Sequence, residues 1–176
     1  NSLKPIDIFI AISHGQHRGI LKRDYIDDRV KLINKLTKKV SYNIFGYKNN
    51  PVWGQNFFNE LQKCSMSVNI SRGEPIKHYS SDRIASLMGN GLLTFIHNDY
   101  QYQNFFNKNE IIFYKNIKEL NDKILFFKKR PKLIKTIAKN GHKKAHRIFN
   151  NKVISDFIVK KTMGYKVNSN LNWINV

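Results

Sequence analysis

Short apolar runs that alternate with amphipathic segments constrain the fold of this chain more than any other feature of its sequence. Two of the runs, at residues 6–13 and 92–96, are apolar at nearly every position, which is typical of strands covered on both faces. Between the runs, apolar residues recur at the spacing of a helix face. Because strands alternate with helices, the sequence predicts an α/β fold, a Rossmann-like parallel sheet with helices on both faces. The predicted strands cover residues 6–13, 41–47, 65–70, 92–96 and 110–114.

Capping patterns mark the predicted helices. Asp24 and Asp27 have the spacing of a capping box, so we predict that the first helix covers residues 25–39. Asn116 stands at the same distance before an acidic residue, and Pro131 suits the first turn of a helix. The predicted helices begin near residues 25, 54, 81, 116, 131 and 152.

The composition bounds the class of protein. The chain has 176 residues, of which 41% are hydrophobic, so it is large enough for one domain with a core and is not mostly disordered. We predict that this domain covers residues 1–162 and that an Asn-rich tail follows at 163–176.

No apolar run is long enough to span a bilayer, and no signal-peptide pattern is present. A single cysteine, Cys64, excludes an internal disulfide, and no His/Cys set predicts a metal site. We therefore expect a cytoplasmic protein with no metal and no cofactor.

The net charge of +19 predicts an affinity for polyanions without naming one. One interpretation is a surface for nucleic acid, an anionic membrane or a phosphorylated substrate. The other is compositional drift, since Lys, Asn and Ile are all abundant. The basic run at residues 128–144 is likewise either a solvated helix face or a surface that contacts an anionic membrane, at the inner face of the cell membrane. A basic nucleic-acid-binding protein is a further hypothesis. No reader motif is evident, so no specific nucleic acid is expected.

The loops that follow the strands contain the candidate site, because ligands of parallel sheets bind beyond the carboxyl ends of the strands. The strongest candidate follows the third strand. There Ser80 and Ser81 are good N-cap residues for the next helix. Arg72, Lys77 and Arg83 flank this helix start. Free backbone N–H groups and several cations at one point predict an anion-binding site.

Several segments resemble a known family in their order and spacing. They are FGY at 45–47, PVWG at 51–54, SVNI at 67–70, SSDRIASLMGNGLLTF at 80–95 and the helical segment at 116–149. The run at 80–95 is similar to the pattern N-x-R-x-x-E-x-x-x-x-G followed by an apolar strand. The chain thus resembles the C-terminal, donor-binding domain of GT-B glycosyltransferases, in the group 1 and spore-maturation-type branch. The resemblance covers residues 6–160 and implies one half of a GT-B architecture.

This resemblance implies an enzyme that transfers a sugar from a nucleotide-sugar to a cell-surface glycan or similar acceptor. Ser86 stands where the pattern has a glutamate that is expected to hold the ribose hydroxyls, and a neutral serine makes a weaker hydrogen bond. Glu74 is a candidate for orienting a sugar hydroxyl. His14 and Arg18, in the loop after the first strand, are candidates for the cleft.

Several of the candidate residues have a second interpretation. Arg72 and Lys77 either take part in the site or are solvated loop cations. Arg83 either contacts a phosphate of the donor or pairs with the neighbouring Asp82. Tyr47 and Trp53 either flank the nucleotide base, where stacking contributes roughly 1–3 kcal/mol, or pack in the core or a domain interface. The alternatives stay open at the level of the sequence.

The resemblance also predicts that the chain is incomplete as an enzyme. GT-B enzymes have an N-terminal acceptor domain, whereas this sequence begins at the first strand of the donor domain. We therefore expect a fragment that is inactive alone and whose partners are a nucleotide-sugar and the missing acceptor domain. A general base would come from that domain, so no catalytic residue is named. A non-catalytic, nucleotide-binding remnant is the alternative.

Overall fold

A single sheet of five parallel strands organises the part of the chain that the structure describes. This computed structural model describes residues 5–12, 27–79 and 82–167. The strands are β1 (Ile6–Ala11), β2 (Tyr42–Phe45), β3 (Cys64–Val68), β4 (Leu93–His97) and β5 (Ile112–Tyr114). Their order is β2-β1-β3-β4-β5, and every pairing is parallel. The predicted α/β sheet is confirmed, and each strand lies within two residues of its predicted bounds.

Helices cover both faces of this sheet. They are α1 (Asp28–Asn34), α2 (Gly54–Gln62), α3 (Asp82–Gly89), α4 (Ile117–Lys128), α5 (Pro131–Ile148) and α6 (Asn151–Thr162). Successive side chains of β1 point to opposite faces, as a strand requires. Ile8 and Ile10 pack with α1, α4 and the first half of α5, whereas Phe9 packs with α2 and α3. Among the described residues, no helix is both long and apolar enough to cross a bilayer.

The first helix begins later and ends earlier than the sequence predicts. α1 covers Asp28–Asn34 rather than residues 25–39. The sequence predicts Asp27 as the acid three residues after an N-cap at Asp24. In the structure Asp27 is itself the N-cap, because its Oδ1 accepts a hydrogen bond from the N–H of Arg29 at 2.9 Å. Its backbone, with φ −57° and ψ 138°, lies outside the helical region, so the helix cannot extend through it. Asp24 lies outside the described residues.

Helix α5 runs along the edge of the sheet at which the strands begin, which we call the amino edge. Just before α5, the Nζ of Lys128 lies 3.1 Å from the Asp7 carboxylate in β1 and 2.8 Å from the Lys39 carbonyl ahead of β2. Further along, Gly141 approaches the carbonyl of Glu110, which precedes β5, so closely that a Cβ would overlap it. These contacts place the exposed face of α5 at the amino edge.

The opposite edge, where the strands end, is the carboxyl edge. The ends of β1 and β2 meet there at Gly46, which has a φ of +80°. A Cβ at this position would overlap the carbonyl oxygen of Ile12, so glycine is required for both its conformation and its size. The loops after β2 and β3 leave the sheet on either side of β1, at this same edge.

A candidate anion-binding site at the carboxyl edge

The strand order creates a crevice between the carboxyl ends of β1 and β3. The chain passes from β1 to β2 on one side, then crosses to β3 on the other side of β1. The connections after β1 and β3 therefore diverge, and such a switch point is where ligands bind in open parallel sheets. Among the described residues, polar side chains at this end of the sheet come from the start of α1, the end of β3 and the start of α3.

Asp27 and Arg29 form a buried ion pair at the start of α1. Asp27 is 1% exposed and Arg29 is 5% exposed. The guanidinium donates from Nε to Oδ1 of the carboxylate at 2.9 Å and from Nη2 to Oδ2 at 2.5 Å. The hydrogen bonds from Arg29 lower the pKa of Asp27 from 3.8 to about 2, against the opposing effect of burial. A buried charge that is held in this way keeps one orientation, so the pair fixes a guanidinium at the crevice.

Arg83, in the first turn of α3, is bonded to the end of β3. Its Nη1 donates to the carbonyl of Ile70 at 2.7 Å and lies 3.5 Å from Oδ1 of Asn69. Burial lowers the pKa of Arg83, and the positive charge of Arg29 lowers it further. No close ion pair joins Arg83 to Asp82 in the described part of the chain, but the carboxylate of Asp82 acts on Arg83 electrostatically.

Arg72 joins the same group from the loop after β3. Its Nε lies 3.6 Å from Oδ2 of Asp27, and its side chain is half exposed. Arg29 and Arg72 thus contact the carboxylate of Asp27, whereas Arg83 interacts electrostatically with Arg29 and with the exposed carboxylate of Asp82. We call Asp27, Arg29, Arg72 and Arg83 the arginine cluster. Three guanidinium groups and one buried carboxylate leave an excess of positive charge that suits a multivalent anion.

The other predicted residues of the loop after β3 lie at the same edge but outside the cluster. Glu74 and Lys77 are exposed and have no ion pair within residues 27–79 and 82–167. The loop itself is held in place at His78, whose N–H donates to the carbonyl of Tyr100 at 2.9 Å and whose φ is +56°. Glu74 and Lys77 therefore project from an anchored loop beside the crevice.

Three predicted residues sit on neighbouring elements. Tyr47 is half-buried, packs against the core, and donates from its hydroxyl to Oδ1 of Asn34 at 3.3 Å. Trp53, directly before α2, is 63% exposed. Ser86 is half-buried on α3, three residues after Arg83 and therefore on the same side of the helix.

Four predicted residues are not described by the structure. His14 and Arg18 follow β1, and Ser80 and Ser81 precede α3. All four lie outside residues 5–12, 27–79 and 82–167. Their proposed contacts stay predictions.

Sequence reasoning missed three residues of this site. Asp27 is explained as part of a capping box, and Arg29 and Asn69 are not singled out at all. A signal for Arg29 is present, because it stands four residues before the buried Ile33 and so occupies the apolar face of α1. A cation at an apolar position is rarely buried without a partner, so an acid close to Arg29 in the sequence, such as Asp27, is expected to pair with it.

A cavity of about 330 Å³ lies elsewhere, between α3 and the junction of α5 and α6. Apolar and aromatic side chains line most of it, among them Met88, Tyr102, Phe106 and Phe149. Such a lining offers few donors to a phosphate. The arginine cluster is therefore the better candidate for an anion.

Comparisons with known proteins give one family and a set of similar folds. A family model described as glycosyl transferase-like matches residues 28–159. A search of curated proteins gave no match. Among solved structures, the C-terminal domain of a glycosyl transferase group 1 family protein (LpcC) from Francisella tularensis is 13% identical, with a TM-score of 0.56 over 83% of this chain and 87% of that one. Anabaena HepE in complex with UDP is 15% identical, with a TM-score of 0.58 over 89% of this chain and 40% of that one.

Proposed function

Because the chain belongs to the glycosyl transferase-like family, we propose that it is the donor-binding half of a GT-B glycosyltransferase and holds the diphosphate of a nucleotide-sugar at the arginine cluster. The observation that carries this proposal is a group of three arginines at the switch point of the sheet, in which Arg29 and Arg72 contact the Asp27 carboxylate and Arg83 is bonded to the end of β3. HepE, which has a similar fold, was solved with UDP, and this supports a nucleoside diphosphate as the ligand.

The chemistry that this cluster suits is stabilisation of a leaving group. When the bond between sugar and phosphate breaks, the nucleoside diphosphate gains negative charge. Fixed guanidinium groups stabilise that charge without reorganising, which is the largest single contribution in many enzymes. Of the three guanidinium nitrogens of Arg83, only Nη1 has a hydrogen-bond partner among the described residues. Its Nε and Nη2 are therefore available to bind phosphate oxygens. Asp27 is the positioning residue, because it orients Arg29.

The remaining candidates extend the same proposal. Trp53 is exposed at the carboxyl edge, so its indole is available to stack on the base. Ser86 would meet a ribose hydroxyl, Glu74 a sugar hydroxyl and Lys77 a phosphate oxygen. Tyr47 contributes through packing against α1 rather than through the base, because its hydroxyl already bonds Asn34.

We further propose that turnover requires an N-terminal acceptor domain. The chain spans 40% of the length of HepE, and no residue of the cluster is a general base. The expected result is that the chain binds UDP weakly and transfers no sugar by itself. An assay with radiolabelled UDP-sugars and a glycan acceptor measures this. Robust transfer by the purified 176 residues would contradict the proposal.

Calorimetric titration with UDP tests the site itself. Arg83→Gln removes a charge-assisted hydrogen bond, typically about 1.5–3 kcal/mol, so affinity should fall roughly ten- to a hundredfold. Arg72→Gln is the second variant, because its half-exposed side chain can be replaced with less effect on folding. Lys132→Gln, on the exposed face of α5, is the control with the same change in charge.

The salt dependence decides between a site and a general attraction. We expect the loss in Arg83→Gln and Arg72→Gln to persist at high salt, because the cluster is partly shielded from solvent. If all three variants lose UDP affinity equally, and the losses vanish at high salt, the site proposal is wrong.

A further inference from the structure

The exposed face of α5 carries a straight row of cations. Lys132, Lys135, Lys139, Lys143 and Arg147 follow at intervals of three or four residues, and all five side chains are exposed. At 1.5 Å per residue, the row is about 22 Å long. The helix contains no acidic residue. We call these five residues the cationic stripe.

The stripe residues form no ion pairs within the described part of the chain, and Glu110 is the acid that lines a surface pocket with Lys143 and Arg147. Cations on other helices do have acidic neighbours one turn away, as in Lys123 with Glu119 and Lys160 with Asp156. Placing five like charges on one helix face is unfavourable for an isolated helix, so folding does not explain the stripe.

Compositional drift does not explain it either. Drift toward lysine would place cations on every exposed helix face. Helix α2 is equally exposed, yet its sequence GQNFFNELQ contains no cation. Helix α5 instead combines six Lys and Arg residues with no acidic residue.

Apolar side chains are exposed at the corner where α4 leads into the stripe. Phe126 is 45% exposed and Leu133 is 37% exposed. The guanidinium of Arg130 lies 3.8 Å from the centre of the Phe126 ring, and Lys129 is exposed beside it. Apolar groups surrounded by cations are typical of surfaces that lie in the headgroup region of a membrane.

From these observations we propose that the cationic stripe and the Phe126–Leu133 corner bind the anionic surface of a lipid bilayer. A straight row of flexible lysines fits a plane of negative charge, and each cation near such a surface contributes about fivefold in affinity. A single-stranded nucleic acid is less suited, because Arg130 already covers the Phe126 ring and leaves no free stacking platform on the stripe. The proposal does not depend on the proposed function.

The position of the stripe makes membrane contact compatible with ligand binding. α5 lies at the amino edge, as the contacts of Lys128 with Asp7 and of Gly141 with Glu110 show. The arginine cluster lies at the carboxyl edge. A bilayer against the stripe therefore leaves the crevice open.

Co-sedimentation of the 176-residue chain with vesicles tests this proposal. The probes are vesicles of phosphatidylcholine alone and of phosphatidylcholine mixed with phosphatidylglycerol. The stripe variant Lys135→Gln/Lys139→Gln/Lys143→Gln is compared with Lys118→Gln/Lys161→Gln/Lys166→Gln, which removes the same charge from exposed positions elsewhere. Circular dichroism checks that both variants fold.

We expect the chain to bind the anionic vesicles and not the neutral ones. Binding should fall about a hundredfold in the stripe variant and much less in the control, since three interfacial cations are lost only in the first. Phe126→Ala/Leu133→Ala should also weaken vesicle binding, and it should leave the binding of single-stranded DNA unchanged.

Three outcomes would overturn the proposal. One is equal binding to both kinds of vesicle, and another is an equal loss in the stripe and control variants. The third is a stripe variant that loses affinity for single-stranded DNA but retains its binding to anionic vesicles, which would identify a nucleic-acid surface instead.

Discussion

The two edges of the sheet use positive charge in opposite ways. At the carboxyl edge, Arg29 and Arg83 are held by Asp27 and by the end of β3, and Arg29 is 5% exposed. At the amino edge, the cationic stripe of α5 is exposed and unpaired within the described residues. Bonded, desolvated cations can select one ligand geometry, whereas exposed lysines attract any anionic surface. The comparison therefore separates a specific site from a general electrostatic surface.

The largest expected effect concerns the buried carboxylate of this comparison. Asp27→Ala removes the buried carboxylate that pairs with the guanidinium of Arg29, which should lower the free energy of unfolding by about 3–5 kcal/mol. Lys128→Ala, which breaks the more exposed pair with Asp7 at the amino edge, should lower it by less than about 1 kcal/mol. Urea denaturation of the two variants measures the difference. Similar losses in both variants would mean that the two edges are energetically alike.

A smaller loss of stability is expected when the pH is lowered. The pKa of Asp27 is lowered from 3.8 to about 2 in the folded state by the hydrogen bonds from Arg29, with Arg72 also contributing. A carboxyl whose pKa is lowered on folding stabilises the fold above its unfolded pKa, and this stabilisation disappears as the pH falls toward the folded pKa. The chain should therefore lose about 2 kcal/mol between pH 4 and pH 2 through this group.

Asp27→Asn isolates that contribution. The variant has no titrating carboxyl at this position, so its stability should depend less steeply on pH over the same range. Urea midpoints at a series of pH values measure both slopes. If the urea midpoints of the parent protein and of Asp27→Asn depend equally on pH, the pKa of Asp27 does not change on folding and the prediction is wrong.

The smallest effect is expected at the stripe. Lys139→Gln removes an exposed cation that has no partner in the described residues, so the free energy of unfolding should change by less than about 0.5 kcal/mol. Any gain from reduced repulsion should decrease as salt is added. Thermal unfolding at low and high salt is the measurement. A loss above 1 kcal/mol would show that the stripe serves the fold, contrary to the comparison.

The sequence by itself determined the fold class, because the signals for it are local. The apolar runs and the helical spacing between them predict each strand to within two residues, and the Asn116 cap of α4 is present as expected. A strand buried on both faces has its own composition, and a cap bonds within its own turn, so neither requires knowledge of distant residues. The first helix is less well predicted, because Asp27 fits two local patterns. It could be the acid of a capping box that starts at Asp24 or an N-cap, and the structure shows the N-cap.

Only the tertiary structure decided the composition of the arginine cluster and the position of the stripe. Asp27 at the start of α1 contacts Arg72 in the loop after β3, and Arg83 is bonded to the end of β3, because parallel strands bring their carboxyl ends to one edge, across more than forty residues of chain. In the same way, the contact between Gly141 and Glu110 directs α5 along the amino edge. Residue type predicts that an arginine is charged, but burial against a distant partner decides whether that charge is fixed or free. That burial is a property of long-range packing, which local periodicity does not encode.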